Sequence, residues 1–115
     1  MCPMPGRNES GAVEELTRRV AELLLDHPHG VVEVAGDPLL AARLRARVGP
    51  RVAEDESAHP TVVVDATGSP HVIRSALRRL VDHGLLVLTT ELRGNLEALN
   101  YYEDLHRRSL TVVGA

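Results

Sequence analysis

Asp65 closes the apolar run TVVVDA and His71 follows six residues later, a carboxylate and an imidazole of the kind that acid/base chemistry uses. A residue at the carboxyl end of a buried strand faces the side on which open α/β sheets bind ligands. An imidazole in the first turn of a helix is favoured in its neutral form by the dipole, which leaves it available as a base. Glu91, just after LLVLTT, adds a second carboxylate. Asp65, His71 and Glu91 are therefore the candidate catalytic residues, for a reaction of the isomerase or dehydratase type on a small molecule. Thr67, Gly68, Thr89 and Thr90 stand at the same strand ends, where small hydroxyl and backbone groups can hydrogen-bond a ligand. Asp65 has a structural alternative in ordering the DATGSP turn, and His71 one as a surface histidine.

Composition removes several other chemistries. The chain has 115 residues and a net charge of −3, and its 13 basic residues are all arginine, spread from Arg7 to Arg108. Without lysine there is neither a Schiff base nor a lysine-containing phosphate loop. A dispersed set of arginines under a negative net charge does not make a nucleic-acid-binding surface, and two tyrosines supply little for base stacking. The single cysteine, Cys2, rules out an internal disulfide or a thiolate cluster and suits a reducing compartment. Of the six histidines only His27 and His29 have close spacing, in a turn, so no metal site is expected. MCPMPGRNES has no apolar centre to act as a signal peptide, and no run approaches the ~20 apolar residues of a membrane helix. The expectation is a cytoplasmic protein with no membrane partner.

The elements that would position these residues are legible as alternating patterns. Residues 1–10 read as a disordered leader and residues 11–115 as one domain. Val13, Leu16, Val20, Leu23 and Leu24 predict a helix over about Ala12 to His27. VVEVA is a short buried strand. Asp37 and Pro38 then cap and start a helix that Gly49 and Pro50 end. Arg51 to Glu54 is a candidate short strand, and TVVVDA is the strongest one. Ser69 and Pro70 repeat the cap-and-proline start for a helix carrying Val72, Ile73, Ala76, Leu77, Leu80 and Val81. LLVLTT is a further strand, Asn100 and Glu103 start a short helix through Arg108, and SLTVVGA closes the chain as the last strand. Apolar strands alternating with helices of this length predict a parallel α/β sheet covered on both faces.

VVEVAGDP, TVVVDATGSP, LLVLTT and DLHRRSLTVVGA come in the order and at the spacing of one known architecture. Over residues 31–115 the chain resembles the coenzyme-binding domain of the medium-chain, zinc-alcohol-dehydrogenase-type reductases. The resemblance implies an incomplete Rossmann-like parallel sheet of four to five strands flanked by helices, because the first strand and the glycine-rich loop of that family have no counterpart. The family's pyrophosphate recognition, zinc ligands and substrate pocket are likewise unmatched. Ala35 stands where the family has its ribose-binding acid. Asp37, two residues later, is the candidate for that contact, with a helix cap as its other reading. If a nucleotide bound, the missing acid together with Arg43, Arg45 or Arg47 would favour a 2′-phosphate, hence NADP over NAD. His106 resembles a structural feature of the family.

A missing central strand leaves two expectations: VVEVA closes up against TVVVDA, or another chain fills the gap. The family's last strand often pairs with its twin across a dimer axis, so the resemblance implies a homodimer through SLTVVGA, and Tyr101 and Tyr102 suit an interface. Two functions are expected from this. One is a degenerate coenzyme domain that associates with itself or with a larger enzyme and does not transfer hydride by itself. The other is a small-molecule-binding enzyme, or a weak NADP-binding protein, that reuses the crevice at the strand ends.

Overall fold

The computed structural model describes residues 5–53, 59–90 and 109–115, and the side chains from residue 11 onward. Helix α1 spans Pro5–Leu23 and runs into a 3-10 turn, Leu24–Asp26. It starts seven residues before Ala12, within the stretch read from the sequence as a leader. Apolar periodicity reports which turns are buried, not which are helical, and Gly11 and Ala12 are exposed on a part of α1 that carries no apolar stripe. Strand β1 is Val32–Ala35, helix α2 Pro38–Val48, strand β2 Val62–Asp65, helix α3 Pro70–Arg79, strand β3 Leu85–Leu88 and strand β4 Thr111–Gly114. Asn100, Tyr101, Tyr102, Glu103 and His106, with the short helix expected around them, lie outside the described residues, as does Glu91.

The fold is α/β, with a four-stranded parallel sheet in the order β1-β2-β3-β4. β1 pairs directly with β2, Val32 opposite Val62 and Ala35 opposite Asp65. Of the two expectations for the missing strand, closing up is the one realised, and no gap is left between β1 and β2. Of the candidate strand at Arg51 to Glu54, the described residues form one parallel bridge, Val52 to Val32, on the far edge of β1, and Glu54 lies outside the described residues. There the Val32 N–H donates to the Arg51 carbonyl at 2.9 Å and the Ala53 N–H to the Val32 carbonyl at 2.8 Å.

Strand alternation sorts the core into two layers. Val32, Val62, Val64, Leu85 and Val87 pack with Val20 and Leu24 of the first helical segment and with Leu40 and Leu44 of α2. Val63 and Leu86 point the other way and meet Ile73, Ala76, Leu77 and Leu80 of α3. The chain therefore leaves β1 outward through α2 on one face and leaves β2 in the opposite direction through α3 on the other. Two crossovers that reverse both direction and face share one hand, as β-α-β units require. The place where they diverge, between the carboxyl ends of β1 and β2, is the topological switch point of the sheet.

Surface polar groups tie the outer layer together. Arg43 of α2 pairs with Glu14 of α1, and Arg18 bridges Glu15 and Glu22 along α1 at 2.5 and 2.6 Å. The Arg18 hydrogen bond holds the Glu15 carboxyl below its ordinary range.

Candidate functional site

Asp37, Asp65, Thr67 and Gly68, the candidate positions at the switch point, are engaged by the turns that end β1 and β2. Asp65 is completely buried. One carboxylate oxygen accepts from the Thr67 hydroxyl at 2.6 Å and the Thr67 N–H at 3.3 Å, and the other accepts from the Gly68 N–H at 3.0 Å. Thr67 Oγ1 in turn accepts from the Ser69 N–H at 3.0 Å. The sequence reason is local: after a strand, Asp followed by small residues folds its side chain onto the next N–H groups as an Asx-type turn. Thr89 is drawn into the same cluster, its N–H and hydroxyl donating to the Asp65 carbonyl at 3.0 and 2.8 Å. Thr90 follows it at the half-buried end of the strand.

Both helices that begin near this end are capped from within. The Asp37 carboxylate accepts from the Leu40 N–H at 3.0 Å, with Pro38 in the first turn, which is the capping alternative read for Asp37. Ser69 Oγ accepts from the Val72 N–H at 3.4 Å ahead of Pro70. A helix N-terminus binds phosphate through its free N–H groups. Here Gly68, Ser69, Val72 and Leu40 already donate to side chains of the chain itself, and the two prolines have no N–H. The switch point is also filled sterically. Gly36 has φ +89°, and a Cβ placed on it would lie 2.4 Å from the Thr67 methyl carbon, so the β1 and β2 turns touch through a glycine. The residues at this end do not fit the pyrophosphate of a dinucleotide.

His71 lies apart from the Asp65 cluster. It is exposed in the first turn of α3 and lines a cavity of about 370 Å³ with Arg74, Ser75, Arg78 and Arg79. The acid/base set of Asp65, His71 and Glu91 is thus divided: Asp65 is in the turn, His71 on the helix flank, and Glu91 outside the described residues. Among the described residues no three His, Cys, Asp or Glu side chains come together as a metal site, and no helix is long and apolar enough to cross a membrane.

One polar feature was not anticipated. Glu33 of β1 is buried and accepts two hydrogen bonds from Arg79 of α3, both at 2.7 Å, while Arg79 Nε donates to Ser75 Oγ at 3.3 Å. A signal was present in VVEVA, where a single charge stands in an apolar strand and must find a counter-ion if buried. The partner lies 46 residues away, so no local pattern names it.

Comparison with known protein families, curated proteins and solved structures finds no match to this chain. The fold rests on its own geometry.

Proposed function

We propose that this chain is a small association module, a Rossmann-like sheet that pairs with a second copy of itself or with a larger enzyme through β4 and does not transfer hydride alone. The observation that carries this reading is the free edge of β4. β4 pairs with β3 on one side, and among the described residues no strand pairs with the other. The Thr111 and Ala115 N–H groups donate inward to Gly84 and Leu88, so by the regular alternation of a parallel ladder Val112 and Gly114 direct their N–H and C=O groups outward. Val112 is also 41% exposed, a large apolar side chain on an edge that no described strand covers. Such an edge is a template for another strand. Two identical edges related by a twofold axis would pair antiparallel and extend four strands to eight.

The engagement of Asp65 and Asp37 by their own turns supports this reading over the enzymatic one, since a general base must have an oxygen within reach of the substrate. The medium-chain dehydrogenase resemblance remains part of the proposal, as the source of the fold, and fold alone does not carry activity.

Sedimentation equilibrium of the wild-type protein and of Val112→Pro tests it. Proline at this position removes an outward N–H while leaving the ladder to β3 intact, which edge strands tolerate. The expected result is a wild-type dimer whose dissociation constant rises about tenfold to a hundredfold in the variant, because each of the two protomers loses a hydrogen bond and an apolar contact. A wild-type protein that stays monomeric at high concentration and captures no partner enzyme would sink the proposal.

A further inference from the structure

His71, Arg74, Ser75 and Arg78 fall at i, i+3, i+4 and i+7 along α3, one stripe of the helix, and with Arg79 they line the cavity of about 370 Å³. Arg79 reaches Glu33 in β1, so this flank leans toward β1, away from the β3 side of the sheet. The charges on it do not balance. Glu33 satisfies Arg79 with both oxygens, whereas no hydrogen bond or ion pair engages the side chain of Arg74 or Arg78 among the described residues. The Nε of Arg74 is moreover buried with no hydrogen-bond partner. A guanidinium cannot shed its proton to escape that cost, so an acceptor entering the cavity is the available remedy. Ser75 Oγ accepts from Arg79, which leaves its own O–H free to donate.

We propose that this flank of α3 is a binding site for a phosphorylated small molecule, with Arg74 and Arg78 holding the phosphate and Ser75 and His71 donating to its remaining oxygens. The choice of phosphate over carboxylate follows from donor count. One carboxylate is filled by one bidentate guanidinium, as Glu33 is by Arg79, whereas two guanidiniums with a hydroxyl and an imidazole match a dianion with three acceptor oxygens. The volume lies at the lower end of the range of about 300–1,000 Å³ for small-molecule sites, so a phosphate with a compact body fits. The site goes beyond the association reading and does not depend on β4.

The test is a titration of the full chain with inorganic phosphate, followed by the arginine Nε–H resonances, with sodium chloride at matched ionic strength as the control. Saturable shifts at Arg74 and Arg78 that chloride does not reproduce are expected, with affinity weakened about tenfold or more in Arg74→Gln, the effect of one charge-assisted contact. Arg78→Gln, at an exposed position, gives the same readout should Arg74→Gln fail to fold. Shifts that chloride reproduces, or that survive both substitutions, overturn the site. A glycerol phosphate that binds at least as well as phosphate supports the small-molecule class. A phosphoserine peptide or an oligonucleotide that binds more than tenfold tighter than glycerol phosphate overturns it.

Discussion

Replacing Asp65 by Asn separates a structural carboxylate from a chemical one, because the change keeps the shape and removes the charge. The carboxylate accepts three hydrogen bonds, from the Thr67 N–H, the Thr67 hydroxyl and the Gly68 N–H. An amide has one acceptor oxygen. Whichever way it is turned, its NH2 meets either the Gly68 N–H or the Thr67 N–H, and one backbone donor loses its partner. A buried unsatisfied donor costs about 1–3 kcal/mol, and the surviving bonds fall from charge-assisted to neutral strength. Asn is easier to desolvate than a carboxylate, which offsets part of this and sets the expected loss near 2 kcal/mol. For a domain of this size that is a fall in Tm of roughly 8 °C. Urea unfolding followed by circular dichroism would read it, with Thr67→Val in a double-mutant cycle to show that the loss is shared with Thr67. A variant as stable as the wild type would refute the reasoning, because it would mean that the turn does not need the charge and that the carboxylate is free for other work.

Two further substitutions probe the packing that surrounds this turn. Gly36→Ala would place a methyl 2.4 Å from the Thr67 methyl carbon at a φ of +89°, and is expected to lower stability by about 2–4 kcal/mol from overpacking and backbone strain together. Thr67→Ser removes that methyl and keeps the hydroxyl on Asp65, so it should recover roughly half of the loss; no recovery would mean that the crevice is closed by something else. Arg79→Leu removes the two hydrogen bonds that the buried Glu33 carboxylate accepts from Arg79 and should cost about 3 kcal/mol, the low end for a broken buried pair because Arg79 keeps some exposure. Glu33→Val combined with Arg79→Leu should return close to wild-type stability in thermal unfolding, and a double variant no better than the single one would show that the pair is not what the carboxylate depends on.

The parts of this fold that were legible in the sequence are those with local causes. Asp37 with Pro38 and Ser69 with Pro70 mark helix starts within four residues, and the structure has both caps. VVEVA, TVVVDA and LLVLTT are β-branched or aliphatic runs too short for helices, and all three are strands of one parallel sheet. Pairing was another matter. Whether VVEVA would meet TVVVDA depends on residues some 30 positions apart, and only the register Val32 to Val62 decides it. The same distance hid the Glu33–Arg79 pair. At the candidate site, Asp65, Thr67, Gly68 and Thr89 were rightly placed at one end of the sheet, but their hydrogen bonds to one another depend on the turn geometry, which composition does not display. Arg74, Ser75 and Arg78 carry no signal in the sequence, because arginines on an amphipathic helix ordinarily mark the solvated face.

The start of α3 and its flank offer a ligand different things. At a switch point, binding energy comes from N–H groups that the fold leaves unpaired and from the gap opened by diverging crossovers. With β1 against β2 the gap is occupied by Thr67 over Gly36, and the Leu40, Gly68, Ser69 and Val72 N–H groups are taken by Asp37, Asp65, Thr67 and Ser69. A ligand arriving there would have to break bonds that the turn already makes, at the full cost of leaving buried donors or a carboxylate unmatched. On the β1-facing flank of the same helix the balance is reversed. Among the described residues no acceptor engages the Arg74 or Arg78 side chain, and an anion bound at the proposed site would add bonds there. With the sheet closed, the strand ends offer an anion fewer unpaired donors than the side of α3 does, and that is where the proposed phosphate site lies.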